Sequence, residues 1–156
     1  MSLQREQEES LTSAQYAALA SFRYELRRFL AFSESAAAAV GLPPQQHQAL
    51  LAIAGHLGPQ LPSVGTIAER LLIAPHTAAE LVARMIDAAL LIKTPSHADR
   101  RRMTLTLTEK AKRLLRELTA AHLNEFKTVE PVLTLALRRI RDAQISVGDQ
   151  EIQPAK

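Results

Sequence analysis

The chain has 156 residues, 47% of them hydrophobic, enough to bury one substantial core and most simply a single domain. Its net charge is only +3, and it has no cysteine, which excludes disulfides, thiolate catalysis and thiol-based redox sensing. Four Phe, two Tyr and no Trp are too few to build the aromatic platforms that stack single-stranded nucleic acid. No stretch approaches the roughly 18 apolar residues of a spanning helix, and the N-terminus lacks a signal-peptide core, so a cytoplasmic, non-membrane protein is expected.

In chain order the pattern is almost wholly helical. Residues 1–11 read as a flexible segment with Glu6, Glu8 and Glu9 against Arg5. Ser13 caps a first helix whose apolar positions, Leu19, Phe22, Leu26, Phe29, Leu30, Ala37 and Val40, follow three- and four-residue steps. Gly41 ends it, giving roughly 40 Å of helix. So long a helix overhangs a domain of this size, and part of its apolar face is expected to meet a partner subunit. Pro43-Pro44 starts a second helix with Leu50, Leu51, Ile53 and Leu57, stopped by Gly58-Pro59. Pro62-Ser63 starts a short third, with Ile67, Ala68 and Leu71 inward; Pro75 opens a fourth that carries Leu81, Val82, Met85 and Ile86 to about Leu90.

A strand follows, because Met103, Leu105 and Leu107 alternate with Thr104 and Thr106, the period of a strand with one buried face. Thr108 can cap the next helix, with Glu109 in its favourable first turn. Arg100, Arg101 and Arg102 therefore fall at the tip of a hairpin. Between Lys93 and Arg116 stand eight Lys or Arg against Asp99 and Glu109, a basic block that favours an anionic partner, duplex DNA being the commonest. The fifth helix carries Leu114, Leu115, Leu118 and Phe126; Pro131 is expected to break it before a sixth with Leu133, Leu137 and Ile140. Residues 146–156, with Gly148 and Pro154, read as a flexible tail.

Two helices around a tight connection, followed by a basic hairpin, is the layout of a winged helix-turn-helix domain. Four segments make the likeness specific: Leu42-Pro43-Pro44-Gln45-Gln46-His47-Gln48-Ala49-Leu50-Leu51, Ser63-Val64-Gly65-Thr66-Ile67-Ala68-Glu69-Arg70-Leu71, Pro75-His76-Thr77 with Leu81-Val82-Ala83-Arg84-Met85, and Asp99-Arg100-Arg101 ahead of Leu107-Thr108. In order and spacing these resemble the MarR family of bacterial transcriptional regulators over roughly residues 12–145. The sequence departs from the family at Ala89 and Ala111, where glycine is usual, and at Glu80, where Arg or a polar donor is frequent.

The resemblance implies a mainly α fold with a small β-hairpin wing: a DNA-binding part over about 44–107 and dimerisation helices over about 13–40 and 108–145. It implies a homodimer reading a near-palindromic operator, with Leu19, Leu26, Phe29, Leu133, Leu137 and Ile140 as candidate interface residues. An exposed helix N-terminus can enter the major groove, where base edges distinguish all four pairs. His76, Thr77 and Glu80 fall on the outward face of the fourth helix, and Arg84 a turn further on suits a phosphate. Arg101, flanked by Arg100 and Arg102, suits the narrow minor groove, with Asp99 fixing its conformation. Ser63 and Thr66 can offer hydroxyls and backbone N–H groups to phosphate.

The family also implies a repressor released by a small amphipathic or aromatic acid, for which Tyr16, Phe22, Arg23, His47 and His56 are candidate lining residues. Arg23 can pair with a carboxylate of such a ligand or with a protein acid. His47, His56, His97 and His122 show no metal-ligand spacing, so no metal or cofactor is expected. No nucleophile elbow, phosphate loop or metalloprotease motif suggests an enzyme. The competing reading is a winged-helix protein-interaction module without specific DNA binding, motivated by Glu80 and the alanine-rich fourth helix.

Overall fold

The computed structural model describes residues 13–148, so the segments at 1–11 and 149–156, read from sequence as flexible, lie outside the described residues. Among the described residues five helices and one antiparallel hairpin follow in the order α1 (Ser13–Ala39), α2 (Pro44–Ala54), α3 (Val64–Leu71), α4 (Pro75–Asp87), β1 (Leu91–Pro95), β2 (Met103–Leu107) and α5 (Glu109–Gly148). They divide into two compact units: Ser33–His122 and, of the described residues, those up to Phe32 together with those from Leu123.

The larger unit, 33–122, is the winged one. Its core is Leu42, Leu50, Ile67, Leu81, Val82, Met85, Leu90, Leu91 and Leu105, with Ala111, Leu115 and Leu118 contributed by α5. Recruitment of α5, and of Ala36 and Val40 before α2, makes this unit longer than the 44–107 stretch. Local signals set its element boundaries. Gly41 takes the left-handed conformation (φ 72) that ends α1, with Leu42 N–H donating to Ala37 O at 3.0 Å. Pro44 opens α2 in the first helical turn, where a missing N–H costs nothing. That helix stops at Ala54 under the Gly55 cap, so Leu57 lies beyond it.

The turn from α3 to α4 bends at Leu72, a left-handed residue (φ 55). Helix α4 ends at Asp87 rather than near Leu90, because the chain reverses through Ala89 at φ 56. Ala89 thus holds a backbone shape that glycine adopts without steric cost. In the hairpin Leu91 pairs with Leu107, Lys93 with Leu105 and Pro95 with Met103. The expected alternation of β2 is incomplete: Thr104 is buried alongside Leu105. Its hydroxyl donates to Thr94 O at 3.2 Å, and this cross-strand bond satisfies the buried oxygen. Thr108 caps α5 as expected, its Oγ1 accepting from Ala111 N–H at 3.2 Å while donating to Ala89 O at 2.8 Å.

In the smaller unit, the first part of α1 lies with the last part of α5. Ala18, Val129 and Ala136 are buried, Phe29 and Phe126 stack with centroids 4.9 Å apart, and Gln15 Nε2 donates to Ala143 O at 3.4 Å. The sixth helix expected after Pro131 does not exist separately: α5 runs unbroken through Pro131. Proline removes one backbone donor, and because Pro131 and Lys127 are both exposed, water can take the carbonyl it would have bonded. The helix also reaches Gly148, so residues 146–148 of the expected tail are helical.

Candidate nucleic-acid interface

Helix α4 starts without a side-chain cap. Ala74 occupies the N-cap position and can offer no side-chain acceptor, Pro75 has no N–H, and no acid stands in the first turn. The first intrahelical bond is Ala78 N–H to Ala74 O at 3.0 Å, so the backbone donors before it project from a partly positive helix end. His76 is exposed there and Thr77 half-buried, while Ala78, Leu81 and Met85 face the core as the sequence spacing required. Glu80 and Arg84 are both exposed on α4. This helix start is equipped for an anion.

The wing tip is ordered by Asp99. Its Oδ1 accepts the backbone N–H of Arg101 at 3.0 Å, and its carbonyl accepts the N–H of Arg102 at 2.9 Å. Ser96 N–H then donates to Arg102 O at 2.7 Å and closes the loop. Asp99 thus holds the main chain at Arg101, a charge-assisted bond to the backbone rather than an ion pair with the guanidinium. Arg100 and Arg101 are exposed. Arg102 is engaged differently: its Nη1 donates to Gln60 Oε1 at 2.7 Å.

The basic block of the sequence is not one uniform surface. Lys110 Nζ donates to Ala88 O at 2.8 Å and so satisfies a carbonyl at the negative end of α4. Lys112 pairs with Glu109 at 2.7 Å, and its bond and charge hold that carboxyl below the usual carboxylate range. Ser63 and Thr66 are committed to starting α3. Ser63 Oγ accepts Thr66 N–H at 3.4 Å and Thr66 Oγ1 accepts Ser63 N–H at 3.0 Å, so both backbone donors expected to meet phosphate are already used.

The five candidate effector residues do not form one cluster in either unit. Tyr16, Phe22 and Arg23 belong to the smaller unit, where Tyr16 and Arg23 are exposed. His47 and His56 belong to the winged unit. His56 Nε2 donates to Gln60 O at 2.9 Å. His47 is buried, its ring centroid 5.0 Å from that of His122, and burial together with the His122 charge pushes its pKa below the ordinary 6.5. Spacing along the chain gave no sign of this histidine pair. Among the described residues no group of three or more His, Cys, Asp or Glu is placed to hold a metal.

Of the candidate dimer residues, Leu19, Leu26 and Leu137 are exposed on the single chain, Leu133 and Ile140 are half-buried, and Phe29 is stacked on Phe126. Leu30, named from sequence only as an apolar position of the first helix, and Tyr24, Leu123 and Leu135, which sequence reasoning did not single out, are exposed in the same unit. No helix among the described residues is long and apolar enough to cross a membrane.

A helix-turn-helix of α3 and α4, backed by α2 and flanked by a two-stranded hairpin, defines a winged helix-turn-helix protein. Residues 40–102 match the family model described as the MarR family, in agreement with the resemblance carried by the motifs of that segment. Solved structures agree in fold. AbsC, a MarR family transcriptional regulator from Streptomyces coelicolor, superposes with a TM-score of 0.66 at 18% identity, covering 88% of this chain and 97% of that one. A mutant of S. aureus MepR bound to oligodeoxyribonucleotide gives 0.58 at 18% identity over 88% and 98%. CouR from Rhodococcus jostii RHA1, bound to p-coumaroyl-CoA, gives 0.60 at 18% identity over 83% and 88%. A comparison with curated proteins found no match.

Proposed function

We propose that this chain is a sequence-specific double-stranded DNA-binding transcriptional regulator. It acts as a homodimer on a near-palindromic operator, without enzymatic activity, in the cytoplasm. The observation that carries this reading is the pairing, in one compact unit, of an uncapped, acid-free α4 start bearing His76 and Thr77 with a hairpin tip that presents Arg100 and Arg101. The first is shaped for the major groove and the second for the minor groove or the backbone. Thr77 meets a thymine methyl or a phosphate, Arg84 a phosphate, and Glu80 accepts from cytosine N4. The oligodeoxyribonucleotide held by the MepR mutant supports the partner class.

The regulator is a repressor released by a small amphipathic or aromatic acid; the p-coumaroyl-CoA bound by CouR supports a small-molecule ligand with an aromatic acyl group and no more. Two copies join through the apolar residues that the smaller unit exposes, Leu19, Leu26 and Leu137 among them. Selection of bound sequences from random duplex DNA tests the function. It should return one inverted-repeat motif with half-sites about one helical turn apart; a failure to enrich any sequence would refute it.

A second reading rests on Glu80, an acid on the face of α4 that would meet DNA. A protein-interaction module would bind a basic partner there and show no steep salt-dependent affinity for duplex DNA.

A further inference from the structure

The loop between α2 and α3 reaches the wing twice. Pro62 O accepts the N–H of Leu105 at 2.8 Å, within β2. Gln60 Oε1 accepts from Arg102 Nη1 at 2.7 Å, just before that strand. Arg102 is the residue whose own backbone closes the tip, through Ser96 N–H to its carbonyl and its N–H to Asp99 O. A grip on Arg102 is therefore a grip on the loop that displays Arg100 and Arg101.

Gln60 is itself held. The carbonyl of Gln60 can only accept, so His56 Nε2 carries the proton of their 2.9 Å bond. The imidazole occupies the space beside Gly58: a Cβ there would stand 2.6 Å from His56 Nε2 and 3.0 Å from its Cε1. The glycine lets the loop close around the ring, and the ring fixes the residue that holds the wing.

We infer that His56 and Gln60 form a brace that sets the position of the wing, making them positioning residues for nucleic-acid binding that touch no nucleic acid themselves. Arg102 belongs to this brace, whereas Arg100 and Arg101 are presented by it. A two-stranded hairpin has little stability of its own, and an unbraced tip would have to be ordered at the moment of binding. Bracing meets that ordering cost during folding. The brace is a feature of the fold itself; its role in affinity rests on the proposed function.

The test compares Gln60→Ala, Gln60→Glu and Arg101→Ala. Amide exchange at Ser96 and Arg102 is measured in the free protein, and affinity for the selected duplex is measured across a salt series. Gln60→Ala should speed exchange at both amides about three- to tenfold, the scale of one net hydrogen bond, with the thermal midpoint nearly unchanged. It should weaken duplex binding by a similar factor without altering the salt slope. Gln60→Glu, which keeps an acceptor for Arg102, should restore protection. Arg101→Ala should do the reverse, lowering the salt slope by about one with protection of the tip unchanged. Wild-type exchange at Ser96 and Arg102 in Gln60→Ala would overturn the brace. Faster exchange with undiminished affinity would overturn its positioning role. Faster exchange in a protein that binds no duplex at all would uphold the brace and refute the DNA-binding reading.

Discussion

The imidazoles of His47 and His122 lie 5.0 Å apart, joining α2 to α5 inside the winged unit. His122 is anchored on both sides, Nδ1 donating to Leu118 O at 2.6 Å and Nε2 meeting Ser33 Oγ at 2.8 Å. His47 is 3% exposed, and burial, assisted by the His122 charge, disfavours its cation.

The sign of the resulting pH dependence follows. The folded state holds the His47 pKa below its ordinary 6.5, so unfolding takes up a proton when the pH lies between the two values. Stability from neutral His47 is fully present above pH 6.5 and is lost as pH falls through the depressed value. Thermal unfolding followed from pH 7.5 to about 5 should show a falling midpoint, and His47→Gln should flatten that fall. Parallel decline in both proteins would place the titrating group elsewhere.

Ala89→Gly should stabilise the protein. Ala89 sits at φ 56, where an L side chain costs about 1 kcal/mol or more, so the midpoint should rise by about 2–4 °C. Ala88, at φ −77, is the control: glycine there relieves nothing and should lower the midpoint. A drop for Ala89→Gly would mean that the strain is already relieved by the surrounding contacts.

Thr108→Val removes both the cap on Ala111 N–H and the bond to Ala89 O while keeping the shape of the side chain. The expected loss is about 1–2 kcal/mol in denaturant unfolding. An unchanged midpoint would show that solvent satisfies these groups equally well.

How much of this was legible in the sequence depends on how local each signal is. The helix start at Pro62-Ser63, the Thr108 cap, the proline starts at Pro44 and Pro75, the helix end at Gly41 and the inward spacing of Ala78, Leu81 and Met85 act within a turn or two. All are where the pattern placed them. Pro131 misled because proline's effect on a helix depends on whether solvent can reach the freed carbonyl, a property of the fold rather than of the dipeptide. The His47–His122 pair and the Gln60–Arg102 bond join positions far apart in the chain, and no periodicity encodes them. The basic block looked uniform until Lys110 proved to cap α4 and Lys112 to pair with Glu109.

Assembly is tested by sedimentation. The wild type should run at twice 17.2 kDa at micromolar concentration. Leu26→Arg should favour the monomer without unfolding it, since Leu26 is already 37% exposed on the single chain and would bury an unpaired charge only in a dimer. A monomeric wild type would remove the basis for an inverted-repeat operator.

Glu80→Ala should raise affinity for non-specific duplex while relaxing base preference at one operator position, because it removes a negative charge from the exposed side of α4 proposed to meet DNA. Unchanged non-specific affinity would place Glu80 away from the phosphates.

The central claim is that α4 and the wing grip duplex DNA, and the salt dependence of binding to the selected duplex tests it most directly. The logarithm of affinity should fall linearly with that of salt, with a slope of about −0.9 for each phosphate contacted. At physiological salt Arg101→Ala should weaken binding by about 1–3 kcal/mol while folding as the wild type does. Millimolar affinity for every duplex at low salt would contradict the claim outright, and wild-type affinity in Arg101→Ala would contradict the place given to the wing.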